Sequence, residues 1–83
     1  MAGDGKVVIR MLTHGVTVEY ASRLERDQSV RLAQACQRTA ERTGYIPGWD
    51  ALGTEDQETA ILEARNWLRA AVECGLIREA GDD

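Results

Sequence analysis

The chain has 83 residues, a formal net charge of −4 at pH 7 and a hydrophobic fraction of 43%. This length makes one domain, residues 1–83, with little room for both a core and a deep pocket, and we expect loose ends at residues 1–5 and 78–83. The acidic charge argues against general binding to a phosphate backbone, and the lack of an apolar run of about 18 residues predicts that the chain spans no membrane. The apolar stretch at the start is too short for a signal peptide, and the two cysteines suit reduced thiols, so we predict a cytoplasmic protein.

Residues 6–21, KVVIRMLTHGVTVEYA, alternate apolar and polar side chains around His14 and Gly15. With a two-residue turn there, the predicted pairs are Arg10 with Glu19, Met11 with Val18, and Ile9 with Tyr20. One face then collects the apolar side chains of Val7, Ile9, Met11, Val16, Val18 and Tyr20. This alternation, with a glycine where a positive φ is needed, predicts a β-hairpin. Because a lone hairpin is marginal in water, its apolar face must pack on another element.

A first helix is predicted directly after the hairpin. Ser22 and Glu25 have the spacing of a capping box, and Gly44 is placed to end the helix in the left-handed conformation. Between these signals, small and apolar residues recur at helical spacing: Ser29, Leu32, Ala33, Cys36, Thr39, Ala40 and Thr43. We expect another element to approach this stripe closely, because its side chains are small.

A second helix begins, by the same reasoning, at a capping box of Thr54 and Gln57. It ends at Gly75, with Leu76 in the place of the Schellman hydrophobic contact. Its predicted apolar face contains Ala60, Ile61, Ala64, Trp67, Leu68, Ala71 and Val72. The order of elements predicts a small α+β domain in which the hairpin packs on two antiparallel helices.

No pattern in the sequence predicts catalysis or a bound metal. Cys36, Cys74 and His14 are the only soft ligands, and they lack the closely spaced pairs of a structural zinc site. Cys36 lies on the apolar stripe and Cys74 near the end of the second helix, so we expect buried, reduced thiols. No serine or cysteine has a base in an evident arrangement, and no glycine-rich phosphate loop is present. We therefore predict a protein that is not an enzyme and needs no cofactor.

Three arginines of the first helix, Arg31, Arg38 and Arg42, lie within about 20° of a common direction on a helical wheel. One interpretation is that they bind nucleic acid or a phosphate ligand. The other is a solvated helix face, partly paired with the acidic second helix, where an exposed ion pair contributes only about 0.2–1 kcal/mol. We favour the solvated face and keep phosphate binding as the alternative function.

The connection between the helices, GYIPGWDALG at residues 44–53, contains two of the four aromatic residues. Pro47-Gly48 is typical of a turn, and the spacing of Trp49 and Leu52 aligns both side chains on one side of a single helical turn. We predict that Trp49 is at least half buried. Tyrosine and tryptophan near a surface are also enriched at protein contacts. The predicted partner-binding residues are Tyr45, Ile46, Trp49, Glu55 and Asp56.

Trp49-x-x-Leu52, followed by an acidic capped helix and Gly75-Leu76-Ile77, resembles the C-terminal half of the ryanodine-receptor-type repeat domain. The resemblance covers residues 45–77, and similar helices occur in small orphan proteins of actinobacteria and their phages. It implies an accessory or recognition module without a reaction of its own. We therefore predict a phage-related module, monomer or homodimer, that binds another protein.

Overall fold

The computed structural model describes residues 5–11, 15–44 and 46–78. Most residues of the two predicted loose ends, 1–5 and 78–83, therefore lie outside the described ranges. The order of elements agrees with the predicted α+β fold: a two-stranded antiparallel hairpin is followed by two helices in a small compact domain. The strands are β1 (Val7–Met11) and β2 (Val16–Tyr20), and the helices are α1 (Arg23–Glu41) and α2 (Thr54–Glu73), with a 3-10 turn at Trp49–Ala51 between them.

The hairpin has a longer connection than the sequence predicted. Val7 pairs with Tyr20 and Met11 pairs with Val16, so the predicted register is wrong by two residues. Gly15 has a φ of 66°, as expected, and its N–H donates to the Met11 carbonyl at 2.8 Å. His14, the other predicted turn residue, lies outside the described residues. A shift of two residues keeps every side chain on its face, so alternation alone could not distinguish the two registers.

The predicted apolar face of the hairpin is confirmed except at Val16. Met11, Val18 and Tyr20 are buried, whereas Val16 beside the turn is 46% exposed. The predicted pair of Arg10 with Glu19 does not form, because the new register places Arg10 opposite Thr17 and Glu19 opposite Val8. Glu19 lies instead 3.6 Å from the Lys6 ammonium.

The capping box at the start of α1 is confirmed. The Ser22 hydroxyl accepts from the Glu25 N–H at 3.1 Å, and the Glu25 carboxylate accepts from the Ala21 N–H at 2.6 Å. The carboxylate therefore reaches one residue further back than in the standard motif. Gly44, with a φ of 80°, follows the end of the helix in the predicted left-handed conformation.

The ends of α2 agree only in part with the prediction. Its N-cap is Gly53, which has no side-chain cap, so the predicted capping box of Thr54 and Gln57 is wrong. At the other end, Gly75 has a φ of 83°, and the Gly75 and Leu76 N–H groups donate to Val72 and Ala71 in the Schellman pattern. Leu76 itself is 78% exposed, so the predicted hydrophobic contact is absent.

The core lies where the hairpin meets both helices. Its fully buried hydrophobic members are Met11, Val18, Tyr20, Ala33, Ile61 and Ala64. Ser29 is also buried, and its hydroxyl donates to the Glu25 carbonyl one turn earlier at 2.7 Å. The buried part of α1 is therefore made of small side chains, which allows the neighbouring elements to approach its backbone.

Tyr20 joins the hairpin to both helices. Its side chain is 0% exposed, and the guanidinium carbons of Arg26 and Arg65 lie 5.1 Å and 5.8 Å from the centre of its ring. Arg26 on α1 also makes two 2.8 Å hydrogen bonds to the Glu58 carboxylate on α2. Burial raises the pKa of the Tyr20 hydroxyl, which has no hydrogen-bond partner among the described residues. The ring thus lies beneath a charged pair that links the helices.

The predicted apolar faces of the two helices are buried only in part. Cys36 and Thr39 on α1 and Thr43 just after it are exposed, and Trp67 on α2 is 71% exposed, so the prediction is wrong for these residues. The lengths explain the difference. A strand of five residues extends about 17 Å, whereas a helix of 19 residues extends about 28 Å. The hairpin is too short to cover both helices.

Gly15→Val should destabilise the fold by more than about 1 kcal/mol, because a β-branched residue fits poorly at a φ of 66°. Gly5→Val is the matched control, since Gly5 has open space around it and no positive φ. Chemical denaturation measures both changes. Equal unfolding free energies for the two variants would contradict a requirement for the left-handed conformation at Gly15.

Candidate functional site

Side-chain amides hold the segment between the helices against both of them. The Gln37 amide on α1 donates to the Pro47 carbonyl at 2.7 Å, and the Gln57 amide on α2 donates to the Trp49 carbonyl at 3.0 Å. The second bond also explains the missing capping box, because the Gln57 side chain is used on the turn. The Leu52 N–H donates to the Trp49 carbonyl at 3.1 Å, which confirms the predicted single turn in its 3-10 form.

The structure separates the predicted partner-binding residues into different environments. Trp49 is partly buried and packs against the core, as the sequence predicted. Ile46 is 41% exposed. In the first turn of α2, Glu55 is partly buried and Asp56 is exposed. Tyr45 lies outside the described residues. The hydrogen bond between Gln57 and the Trp49 carbonyl brings the turn next to these acids.

An open apolar groove runs along the second half of α1 to the loop. It has a volume of about 640 Å³, and its lining residues are Leu32, Ala35, Cys36, Thr39, Ala40, Thr43 and Ile46. Most of these residues belong to the helical stripe that the sequence assigned to a packed face. The fold buries only the first part of this stripe. Ser29 and Ala33 are buried, whereas most of the later residues line the open groove. The sequence pattern therefore identified most residues of the groove. It did not show how far along α1 the hairpin would cover them.

None of the three predicted arginines lines this groove, but Arg38 and Arg42 each directly precede one of its lining residues in the chain. Arg31, Arg38 and Arg42 are exposed, and none makes an ion pair with a described residue. At 100° per residue, their common direction lies about 100° around α1 from the middle of the groove. The ion pairs between the helices use Arg26 and Glu25 of α1 instead, so the expected pairing of this face with α2 is not seen in the described part of the chain. Arg38 and Arg42 therefore form a basic rim beside the apolar groove.

A second concave region lies between the first turns of α1 and the last turns of α2. Its volume is about 520 Å³, and it shares no lining residue with the groove. Glu25 and Arg69 meet in it through two hydrogen bonds of 2.7 Å and 2.8 Å. The Arg69 guanidinium holds the pKa of the Glu25 carboxyl below its ordinary value. No motif in the sequence pointed to this cleft, because its walls come from residues more than 40 positions apart.

Both thiols differ from the prediction. Cys36 and Cys74 are free, but they are exposed rather than buried. Cys36 lies in the uncovered groove, and Cys74 follows the last turn of α2, so neither position is covered by the hairpin. No cluster of three or more metal-ligating side chains occurs among residues 5–11, 15–44 and 46–78. His14 lies outside these ranges.

Neither helix, as far as the chain is described, combines the length and the apolar character that crossing a bilayer requires. Searches of protein-family models, curated proteins and solved structures match nothing to this chain. The resemblance of residues 45–77 to the ryanodine-receptor-type repeat therefore stays a prediction.

The two tryptophans should respond differently to truncation. Trp49→Ala should cost about 2–4 kcal/mol of unfolding free energy, because its ring packs against the core. Trp67→Ala should cost less than about 0.5 kcal/mol, because its ring is 71% exposed. Denaturant titrations followed by circular dichroism measure both. If Trp49→Ala unfolds like the parent, its ring is not a core residue and the account of the loop is wrong.

Proposed function

We propose that this chain is a small non-enzymatic module that binds an acidic amphipathic helix of another protein in the groove on α1. The observation that supports the proposal is the division of the α1 stripe. Its apolar periodicity continues beyond the part covered by the hairpin and ends in an open surface. An exposed apolar surface of this kind with a polar rim is typical of a protein-interaction site.

The dimensions and side chains of the groove favour a helix as the occupant. From Leu32 to Ala40 the groove follows α1 for about 12 Å, which is the length of about two helical turns, and Thr43 and Ile46 extend it past the end of the helix. Ala35, Cys36 and Thr39 are small enough for a second helix to lie close to the α1 backbone. A helix bound in such a groove inserts anchors at positions i, i+4 and i+7. Ile46 closes the groove at the loop end, and Tyr45 precedes it in the chain.

The charge around the groove favours an acidic partner. Arg38 and Arg42 are exposed beside the groove and have no acidic partner among the described residues. A carboxylate on the polar face of a bound helix would meet these arginines. Charges at such a rim raise the rate of association and select the partner, whereas the apolar contact supplies most of the affinity. Trp49 acts in this proposal by fixing the position of the loop.

The alternative function uses the same exposed arginines to bind nucleic acid or another phosphate ligand. Arg31, Arg38 and Arg42 on one face of a helix favour this alternative, and the net charge of −4 opposes it. The two functions differ in their response to salt. Binding to a phosphate backbone falls steeply as salt rises, whereas binding in an apolar groove changes little.

A cytosolic setting is part of the proposal, because two exposed free thiols suit a reducing compartment. The phage-related origin rests on the sequence resemblance alone.

The two thiols provide a matched test of the groove. Cys74→Ser leaves only Cys36 in the groove, and Cys36→Ser leaves only Cys74 outside it. Each variant is reacted with a bulky aryl maleimide and titrated with a fluorescent synthetic helix that carries leucines at i, i+4 and i+7 and glutamates elsewhere. Modification of Cys36 should weaken binding at least about tenfold by filling the groove, and modification of Cys74 should leave it unchanged.

Four outcomes would contradict the proposal. Equal effects of the two modifications would show that the groove is not the binding surface. Equal affinity for a peptide with lysines in place of the glutamates would show that the arginines do not select an acidic partner. If a single-stranded oligonucleotide binds instead, and its binding is lost at high salt and in Arg38→Gln, the alternative function holds. Self-association of the unmodified chain that is blocked at Cys36 would make a second copy the occupant.

A further inference from the structure

We infer that the cleft between the start of α1 and the end of α2 is a second binding site, for a carboxylate carried on an apolar body. This site is independent of the proposed function, because the cleft and the α1 groove have no lining residue in common. Its volume of about 520 Å³ lies within the usual range of ligand sites, about 300–1,000 Å³.

The apolar side chains that line the cleft come from three parts of the chain. Leu24 is in the first turn of α1, Leu68 and Val72 are in the last turns of α2, and Ile77 follows the Schellman turn at Gly75. Leu24 and Ile77 keep much of their side-chain surface exposed, so the fold does not fill this space itself. Burial of a hydrocarbon body against these walls would stabilise a complex by about 25 cal/mol per Å² of apolar surface.

The charges in the cleft favour an anion. Three arginines and one glutamate line it: Arg31, Arg69, Arg78 and Glu25. The glutamate is already held by Arg69 through two hydrogen bonds. Arg31 and Arg78 have no acidic partner among the described residues. The cleft therefore carries excess positive charge in a chain whose net charge is −4.

The combination of these walls and charges indicates the class of ligand. A guanidinium group forms two parallel hydrogen bonds to a carboxylate, which suits Arg31 and Arg78. A small hydrated anion would not bury the apolar side chains of the cleft, and a neutral hydrocarbon would not pair with the arginines. A carboxylate on an apolar body makes both contacts. Such a group occurs in a medium-chain fatty acid and at the C-terminus of an apolar peptide, and these two sources share the same chemistry.

Titration of the full chain with octanoate tests the site directly, with chemical-shift changes of the backbone amides as the readout. Octanol supplies the apolar body without the charge, and acetate supplies the charge without the body. We expect octanoate to shift the amides that line the cleft and to bind at least about tenfold more tightly than either comparator. Acetyl-trileucine as free acid and as amide then separates the sources: tighter binding of the free peptide acid than of octanoate assigns the site to a peptide C-terminus.

Substitutions test the contribution of the two arginines that have no acidic partner among the described residues. Arg31→Gln combined with Arg78→Gln should weaken octanoate binding at least about tenfold, because both lost guanidinium groups line the cleft. Arg10→Gln combined with Arg23→Gln is the matched control: it removes the same two charges from exposed positions that line neither concave region. All four positions are exposed, so the variants should fold, which thermal melts verify.

The inference is overturned by any of three results. Equal affinity for octanol and octanoate would show that the arginines have no part in binding. An equal loss in the control that lacks Arg10 and Arg23 would show a general effect of charge rather than a site. No shift of the cleft amides at about 3 mM octanoate would show that the cleft binds no ligand of this class in a useful range.

Discussion

The fold depends on the packing of Tyr20 beneath Arg26, which is paired with Glu58. The hairpin has two strands of five residues, which are marginal in water without a surface to cover. Tyr20 at the end of β2 provides the connection, because its ring is fully buried and lies under an arginine from each helix. Arg26 and Glu58 are partly buried and joined by two hydrogen bonds, so the loss of either leaves a charge poorly solvated beside the core.

This arrangement explains why two surfaces remain open. The contact of the hairpin with the helices is centred on Tyr20, and the short strands end before the second half of α1 is covered. The small residues beyond Ala33 therefore line a groove with Arg38 and Arg42 at its edge. At the other end of α1, the Glu25–Arg69 pair spans a cleft that the apolar side chains do not fill. Both proposed binding surfaces are thus consequences of a core that covers only part of each helix.

Local signals in the sequence predicted the helices and strands well. The sequence did not show which distant residues would pair. Glycine at Gly15, Gly44 and Gly75 marks positive φ at each position, because other residues are strained there. Ser22 capped its helix for an equally local reason. The hairpin register was wrong, since alternation repeats every two residues and the loop length decides between registers.

Burial was harder to predict than secondary structure. Trp67 and Cys36 follow the helical periodicity of the core but are exposed, because periodicity shows which side of a helix is apolar and not how far its cover extends. Of the predicted surfaces, the exposed arginine face and Ile46 could be found from the sequence. The pairing of Arg26 with Glu58 could not, because it joins residues 32 positions apart and no local pattern selects one arginine over another.

A double-mutant cycle on Arg26 and Glu58 tests the central claim most directly. Arg26→Met and Glu58→Met each replace a charged side chain by an apolar one of similar length. Denaturant titration measures the unfolding free energy of the two single variants and of the double variant. We expect each single substitution to cost about 2 kcal/mol or more, and the double variant to cost less than their sum by at least about 1 kcal/mol. Additive losses, or single losses below about 0.5 kcal/mol, would contradict an assembly that depends on this pair above Tyr20.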